Sequence, residues 1–204
     1  MAAWKSISHA VQHEIAKRKG SRFISAAWPL SGHGDAASKV TRQVIETHRH
    51  RFPAAGHHCY AYRTMDGREL CSDDGEPHGT AGRPILVALQ RAELVDVCVV
   101  VTRIFGGVKL GSGGLVRAYG AAAQEVIKQA NIVEKMPMQL LHVRAVFAFV
   151  AMVKRTCVHF DAELVSQEYA EVAAFTVCIP VHKSSEFMRI IRTKSTGRVE
   201  VKEL

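Results

Sequence analysis

The spacing of apolar and polar positions divides the chain into short segments, some with the period of a strand and some with that of a helix. Ser21–Leu30 reads as a strand. Asp35 is a good N-cap, and Ala37, Val40, Val44 and Ile45 behind it keep the spacing of one helical face until Pro53 and Gly56 end the helix. His57–Thr64 reads as a second strand, and the Asp-Gly pair in Met65-Asp66-Gly67-Arg68 predicts a turn that folds Arg68–Ser72 back as a hairpin. A helix is expected from about Thr80, with Pro84 in its first turn and Ile85, Leu86 and Leu89 facing inward. Val95–Ile104 is a nearly unbroken β-branched run, the pattern of a strand buried on both faces. A long helix then carries Leu115, Tyr119, Ala122, Val126 and Ile127 on one face and ends near Asn131.

Met136-Pro137-Met138 marks the expected boundary between two domains, residues 1–136 and 137–204. The second domain reads as strand (Leu141–Phe149), helix (Met152–Phe160), two strands (Glu163–Gln167 and Ala170–Ile179), helix (Lys183–Arg192) and strand (Arg198–Lys202). On its first strand Leu141, Val143, Ala145, Phe147 and Phe149 are expected to share one face. The order βαββαβ predicts a ferredoxin-like sandwich and makes the whole chain α+β.

Charge and cysteine usage narrow the partners. Residues 1–136 carry 18 Lys/Arg against 12 Asp/Glu, so +6 of the formal +8 lies in the first domain. Such an excess attracts a polyanion such as RNA, although it also serves solubility. The five cysteines are odd in number and form no C-x-x-C pair, which fits a reducing compartment without a disulfide framework or zinc knuckle. No apolar stretch approaches the roughly 18–20 residues of a membrane span, and the N-terminus lacks a secretory apolar core. Its basic residues Lys5, Lys17, Arg18, Lys19 and Arg22 suit a transit peptide, against which stand Glu14 and the strand-like Arg22-Phe23-Ile24-Ser25-Ala26. A cytoplasmic protein with no membrane partner is expected.

Three polar or glycine-rich patches offer chemistry. In His57-His58-Cys59, a strand would turn His57 and Cys59 to one face and His58 to the other. In Ser72-Asp73-Asp74-Gly75-Glu76-Pro77-His78-Gly79-Thr80-Ala81-Gly82-Arg83, Asp73, Asp74 and Glu76 are candidates to hold a cation beside a phosphate, with His57 and His78 as further candidate ligands. They are equally suited to capping the next helix or pairing with Arg83 and Arg103, and their register is not that of an EF-hand. The third patch runs from Arg103 through Gly106, Gly107, Lys109, Gly111, Ser112, Gly113 and Gly114 to Arg117. Glycines ahead of a helix let backbone N–H groups approach an anion at the positive helix end. Arg22, Arg83, Arg103, Lys109 and Arg117 are the candidate cations around it. Ser112 stands where a Walker A motif has Lys, and no G-x-G-x-x-G frame fits. Glycines that merely permit tight strand-to-helix packing would read the same way. No nucleophile–base–orienter motif is visible, so no catalytic residue, cofactor or metal is assigned.

Together the second and third patches, with Lys17…Ser21-Arg22-Phe23-Ile24 and His57-His58-Cys59, resemble the IMPACT/YigZ family over about residues 17–125. The resemblance implies a ribosomal-protein-S5-domain-2-like first domain and a ferredoxin-like second one, in the bacterial-type layout without an RWD domain. It also implies a translational role: eukaryotic members regulate translation by binding a ribosome-associated activator of an initiation-factor kinase. Contact with RNA, the ribosome or a translation factor through the basic glycine-rich surface is therefore the expected function. The alternative is an enzyme acting on a phosphorylated small molecule or nucleotide.

Overall fold

The computed structural model describes residues 3–30 and 35–204, and the chain divides into two compact units, Trp4–Glu134 and Lys135–Leu204. The first contains β1 (Trp4–Ile7), β2 (Val11–Arg18), β3 (Ser21–Pro29), α1 (Asp35–Arg51), β4 (His57–Arg63), β5 (Glu69–Ser72), α2 (Gly82–Arg91), β6 (Val97–Ile104), α3 (Ser112–Gln129) and β7 (Ile132–Lys135). Five strands form an antiparallel sheet in the order β2-β3-β6-β4-β5, and β1 pairs with β7 as a separate ribbon.

Strand β6 explains the layering. Its Val97, Val99 and Val101 meet Ile85, Leu89, Leu115, Tyr119, Ala122 and Val126 of α2 and α3 on one face. Its Cys98 and Val100 pack with Ala37, Val44 and Ile45 of α1 on the other. A strand covered on both faces has no solvent side, so β-branched residues fill it without alternation. The expected hairpin is present, with Tyr60 opposite Ser72 and Arg63 opposite Glu69. Helix α1 starts at Asp35, and the capping role expected of that side chain falls outside the described residues.

Three strands were not expected. Within β2 only Ile15 is buried, so the segment has no hydrophobic stripe of its own. It exists as an edge strand because β3 supplies the hydrogen-bond ladder, with Val11 opposite Ala27 and Ile15 opposite Phe23. The β2–β3 loop is Lys19-Gly20, both at positive φ (47° and 78°), as a two-residue primed hairpin turn requires. The ribbon strands β1 and β7 have four residues each, too few to show a period.

The second unit contains β8 (Met138–Ala145), a 3₁₀ turn (Phe147–Phe149), α4 (Val150–His159), β9 (Glu163–Tyr169), β10 (Ala173–Pro180), α5 (Val181–Lys194) and β11 (Glu200–Glu203). The antiparallel sheet order β11-β8-β10-β9 is the ferredoxin-like arrangement expected from βαββαβ. Leu141, Val143 and Ala145 lie opposite Val177, Phe175 and Ala173. All six are buried with Val153, Cys157, Phe187 and Ile191. Phe147 and Phe149 do not continue that face. The ladder with β10 stops at Ala145–Ala173, the chain turns into the 3₁₀ segment, and Phe147 is left 55% exposed. No helix among the described residues is long and apolar enough to cross a membrane.

Candidate functional site

The loop from β5 to α2 turns its three carboxylates to three different tasks. Asp73 accepts the backbone N–H groups of Gly79 (2.8 Å), Ala81 (3.0 Å) and Gly82 (2.8 Å), so it caps the start of α2. Burial would raise its carboxyl pKa, but those three amides, with His78 nearby, outweigh burial and hold it below the ordinary value. Asp74 points back to the sheet, where its Oδ2 accepts the His58 amide (2.7 Å) and its Oδ1 the Arg49 guanidinium (3.1 Å). Glu76 is buried, and its Oε1 accepts both Arg103 (2.7 Å) and the Tyr119 hydroxyl (2.7 Å).

Two strand residues secure the same loop through its backbone. The Nδ1 of His57 lies 2.8 Å from the Asp74 carbonyl, and the Cys59 thiol donates to the Asp73 carbonyl at 3.0 Å. Burial pushes that thiol up to about 12, so it is not a thiolate. His78 is fully exposed, 3.9 Å from Asp73. His57, Asp73, Asp74, Glu76 and His78 therefore do not converge. Among the described residues no group of three or more His, Cys, Asp or Glu is arranged to hold a metal.

The loop from β6 to α3 is built differently. Gly106 lies so close to the β2–β3 turn that a Cβ there would sit 1.9 Å from the Gly20 carbonyl carbon. The Gly106 amide donates to the Ser21 hydroxyl at 3.2 Å. This contact pins the Lys17-Arg18-Lys19 tip beside α3. At the N-cap, Gly111 has φ 72° and offers no side chain. The first bond of the helix runs from the Leu115 N–H to the Gly111 carbonyl at 2.9 Å. The amides of Ser112, Gly113 and Gly114 have no hydrogen-bond partner among the described residues. An 18-residue helix thus presents an open positive end.

The candidate cations separate into paired and unpaired sets. Arg22 makes a two-pronged pair with Glu14 (2.7 and 2.8 Å), and Arg103 is turned inward to Glu76. Lys109, Arg83 and Arg117 form no salt bridge among the described residues. Arg117 joins Lys17, Arg18 and Lys19 along a groove of about 600 Å³ floored by Leu110, Gly114, Ala118 and Ala121. On its other side Arg117 meets Arg83 and Arg91 across a cleft of about 450 Å³. Neither lining contains an Asp or Glu. Lys17, Arg18, Lys19 and Arg91 had not been singled out for this surface. The signal for the first three was the run of cations before a glycine, legible once that run is recognised as a hairpin tip.

Comparison with known proteins shows the family of the chain. The Impact N-terminal domain matches residues 19–127, which include both glycine-rich loops and nearly all of α3. The chain belongs to the IMPACT family. IMPACT family member YvyE of Bacillus subtilis (strain 168) is 32% identical over 200 residues, covering 97% of this chain and 89% of that protein. IMPACT family member YigZ of Escherichia coli (strain K12) is 30% identical over 187 residues, covering 90% and 89%. A crystal structure described as that of a hypothetical protein superposes with a TM-score of 0.71 at 27% identity, over 100% of this chain and 98% of that one. Membership supports a place in a translation-associated regulatory family.

Proposed function

We propose that this IMPACT family protein binds RNA as the ribosome presents it, through the surface that Lys17, Arg18, Lys19, Arg83, Arg91 and Arg117 form around α3. The observation that carries the reading is the separation of charges. The first unit's acidic side chains that lie near arginines are engaged at Arg22, Arg49, Arg63, Arg68 and Arg103, whereas the cations around α3 line two connected hollows without a carboxylate. Unpaired cations facing solvent keep counterions and hydration that a phosphate backbone displaces on binding, which drives association with RNA and makes it sensitive to salt. Lys109 and the open amides of α3 extend the same positive field past Leu110. The translation-associated family supports the ribosome as the setting.

Co-sedimentation with ribosomes tests the proposal. The protein is expected to pellet with ribosomes at low salt and to leave them in a high-salt wash. Lys17→Glu combined with Arg117→Glu, both at exposed positions, is expected to remain in the supernatant while staying folded. Pelleting that survives both the wash and the charge reversal removes this surface from the account.

A further inference from the structure

We propose that the cleft between α2 and α3 receives an unpaired base, so that the RNA bound by this protein is single-stranded or looped at the point of contact. This rests on RNA being the ligand of the basic surface, and it narrows that ligand to one class. The cleft has a volume of about 450 Å³, within the range of small-molecule pockets. It joins the basic groove at Arg117 and Ala121, which line both.

The two hollows differ in what lines them. Lys17, Arg18, Lys19 and Arg117 surround the groove, which suits a phosphate backbone. The cleft has an apolar floor. Pro84 and Val87 stand one turn apart on α2, and Val116 and Gly120 one turn apart on α3, so each helix turns a stripe toward it. Val116 is 41% exposed there. A phosphate gains nothing from such a floor, whereas the face of a base is removed from water by it. Arg83, Arg91 and Arg117 stand around the cleft, and none of them forms a salt bridge among the described residues. A guanidinium plane can stack on a base while its charge serves the adjoining phosphate. Gln124 completes the lining with an exposed amide, which offers both a donor and an acceptor to a base edge.

Gly120 keeps the floor bare. Glycine inside a helix is destabilising relative to alanine, and the packing does not call for it here. A Cβ added at Gly120 would meet only the Pro84 Cβ, at 3.8 Å, an ordinary van der Waals contact. A longer side chain would extend into the cleft that Gly120 and Pro84 line together. An acidic peptide would also meet the three arginines. The continuity of the cleft with the groove of Lys17, Arg18 and Lys19 favours instead a ligand whose charge repeats along a backbone, as that of RNA does. In a duplex the base faces are closed against one another, whereas an unpaired segment can splay a base out into the cleft.

Fluorescence anisotropy with the full chain tests this on three labelled RNAs: a short single strand, the same strand with abasic central positions, and its blunt duplex. The intact strand is expected to bind about tenfold more tightly than the abasic one. Gly120→Leu fills the cleft and leaves every cation in place. It should bring the intact strand down to the abasic level, with the salt slope and the affinity for the duplex unchanged. Gly120→Ala should bind nearly as the parent does and melt at a higher temperature. The abasic comparison is made on the parent chain, so its outcome is independent of whether the leucine variant folds. Equal affinity for intact and abasic strands overturns the inference and leaves the RNA reading standing, whereas no salt-dependent binding of any of the three removes both. A preference for the intact strand that survives in folded Gly120→Leu also overturns it. So does tighter binding of an amphipathic Glu/Leu helical peptide, lost in Gly120→Leu, which would assign the cleft to a protein.

Discussion

The two glycine-rich loops look alike in sequence and end in opposite electrostatic states. Each leaves a strand, passes through glycines and opens a helix packed on the same face of the sheet. In the first, Asp73 occupies three amides at the entrance to α2, while Asp74 and Glu76 are engaged by Arg49 and Arg103. In the second, the cap is a glycine, the amides of Ser112, Gly113 and Gly114 have no partner among the described residues, and Lys17, Arg18, Lys19 and Arg117 beside it form no salt bridge among them. A carboxylate supplied by the protein closes a helix end, and its absence leaves that end open to a negative group from outside. The glycine content does not distinguish the loops, but the position of the acids does.

Substitutions that disturb this contrast should produce graded effects. The largest is expected from Glu76→Gln, which leaves the buried Arg103 charge uncompensated and should lower unfolding stability by about 3 kcal/mol or more, measured by chemical denaturation. Asp73→Ala comes next. It removes the acceptor for three amides and should cost about 2–3 kcal/mol, with α2 weakened first; hydrogen exchange along α2 reads it out.

The Asp73 carboxyl also sets a pH dependence with a definite sign. Its folded pKa lies below the ordinary 3.8. Its contribution is therefore complete above that value and is lost as pH falls through the lower folded value. Denaturation curves between neutral pH and pH 2 should show the loss, and Asp73→Asn should lack that part of it. The smallest effect is the inverse experiment on the second loop. Ser112→Asp gives α3 its own carboxylate, and should raise stability by about 0.5 kcal/mol while weakening oligonucleotide binding severalfold. A variant that binds as tightly as the parent would break the comparison.

The elements nearest these loops were legible because each has its own hydrophobic period. Ile85, Leu86 and Leu89 face inward on α2, as do Leu115, Tyr119, Ala122, Val126 and Ile127 on α3. The edge strand β2 was hidden because its stability comes from β3 and not from an apolar stripe. That loss had consequences for the site. Without the hairpin, Glu14 cannot be seen to pair with Arg22, and the Lys17–Lys19 tip cannot be placed beside Arg117, about 100 positions later in the chain. The inward turn of Arg103 was within reach of sequence, since it falls in the same alternation as Val97, Val99 and Val101, the face covered by α2 and α3. Its buried partner was not, because Glu76 reaches it from a loop without a period.

Fluorescence anisotropy of a labelled single-stranded RNA, titrated with the full chain across a series of salt concentrations, tests the central claim most directly. Four cations line the groove, and each phosphate neutralised on a single strand contributes about −0.7 to the slope of log affinity against log salt, so the account predicts a slope of about −3. Lys17→Glu/Arg117→Glu should flatten it. A slope near zero for the parent, or a steep slope unchanged in the variant, would contradict the assignment of this surface to RNA.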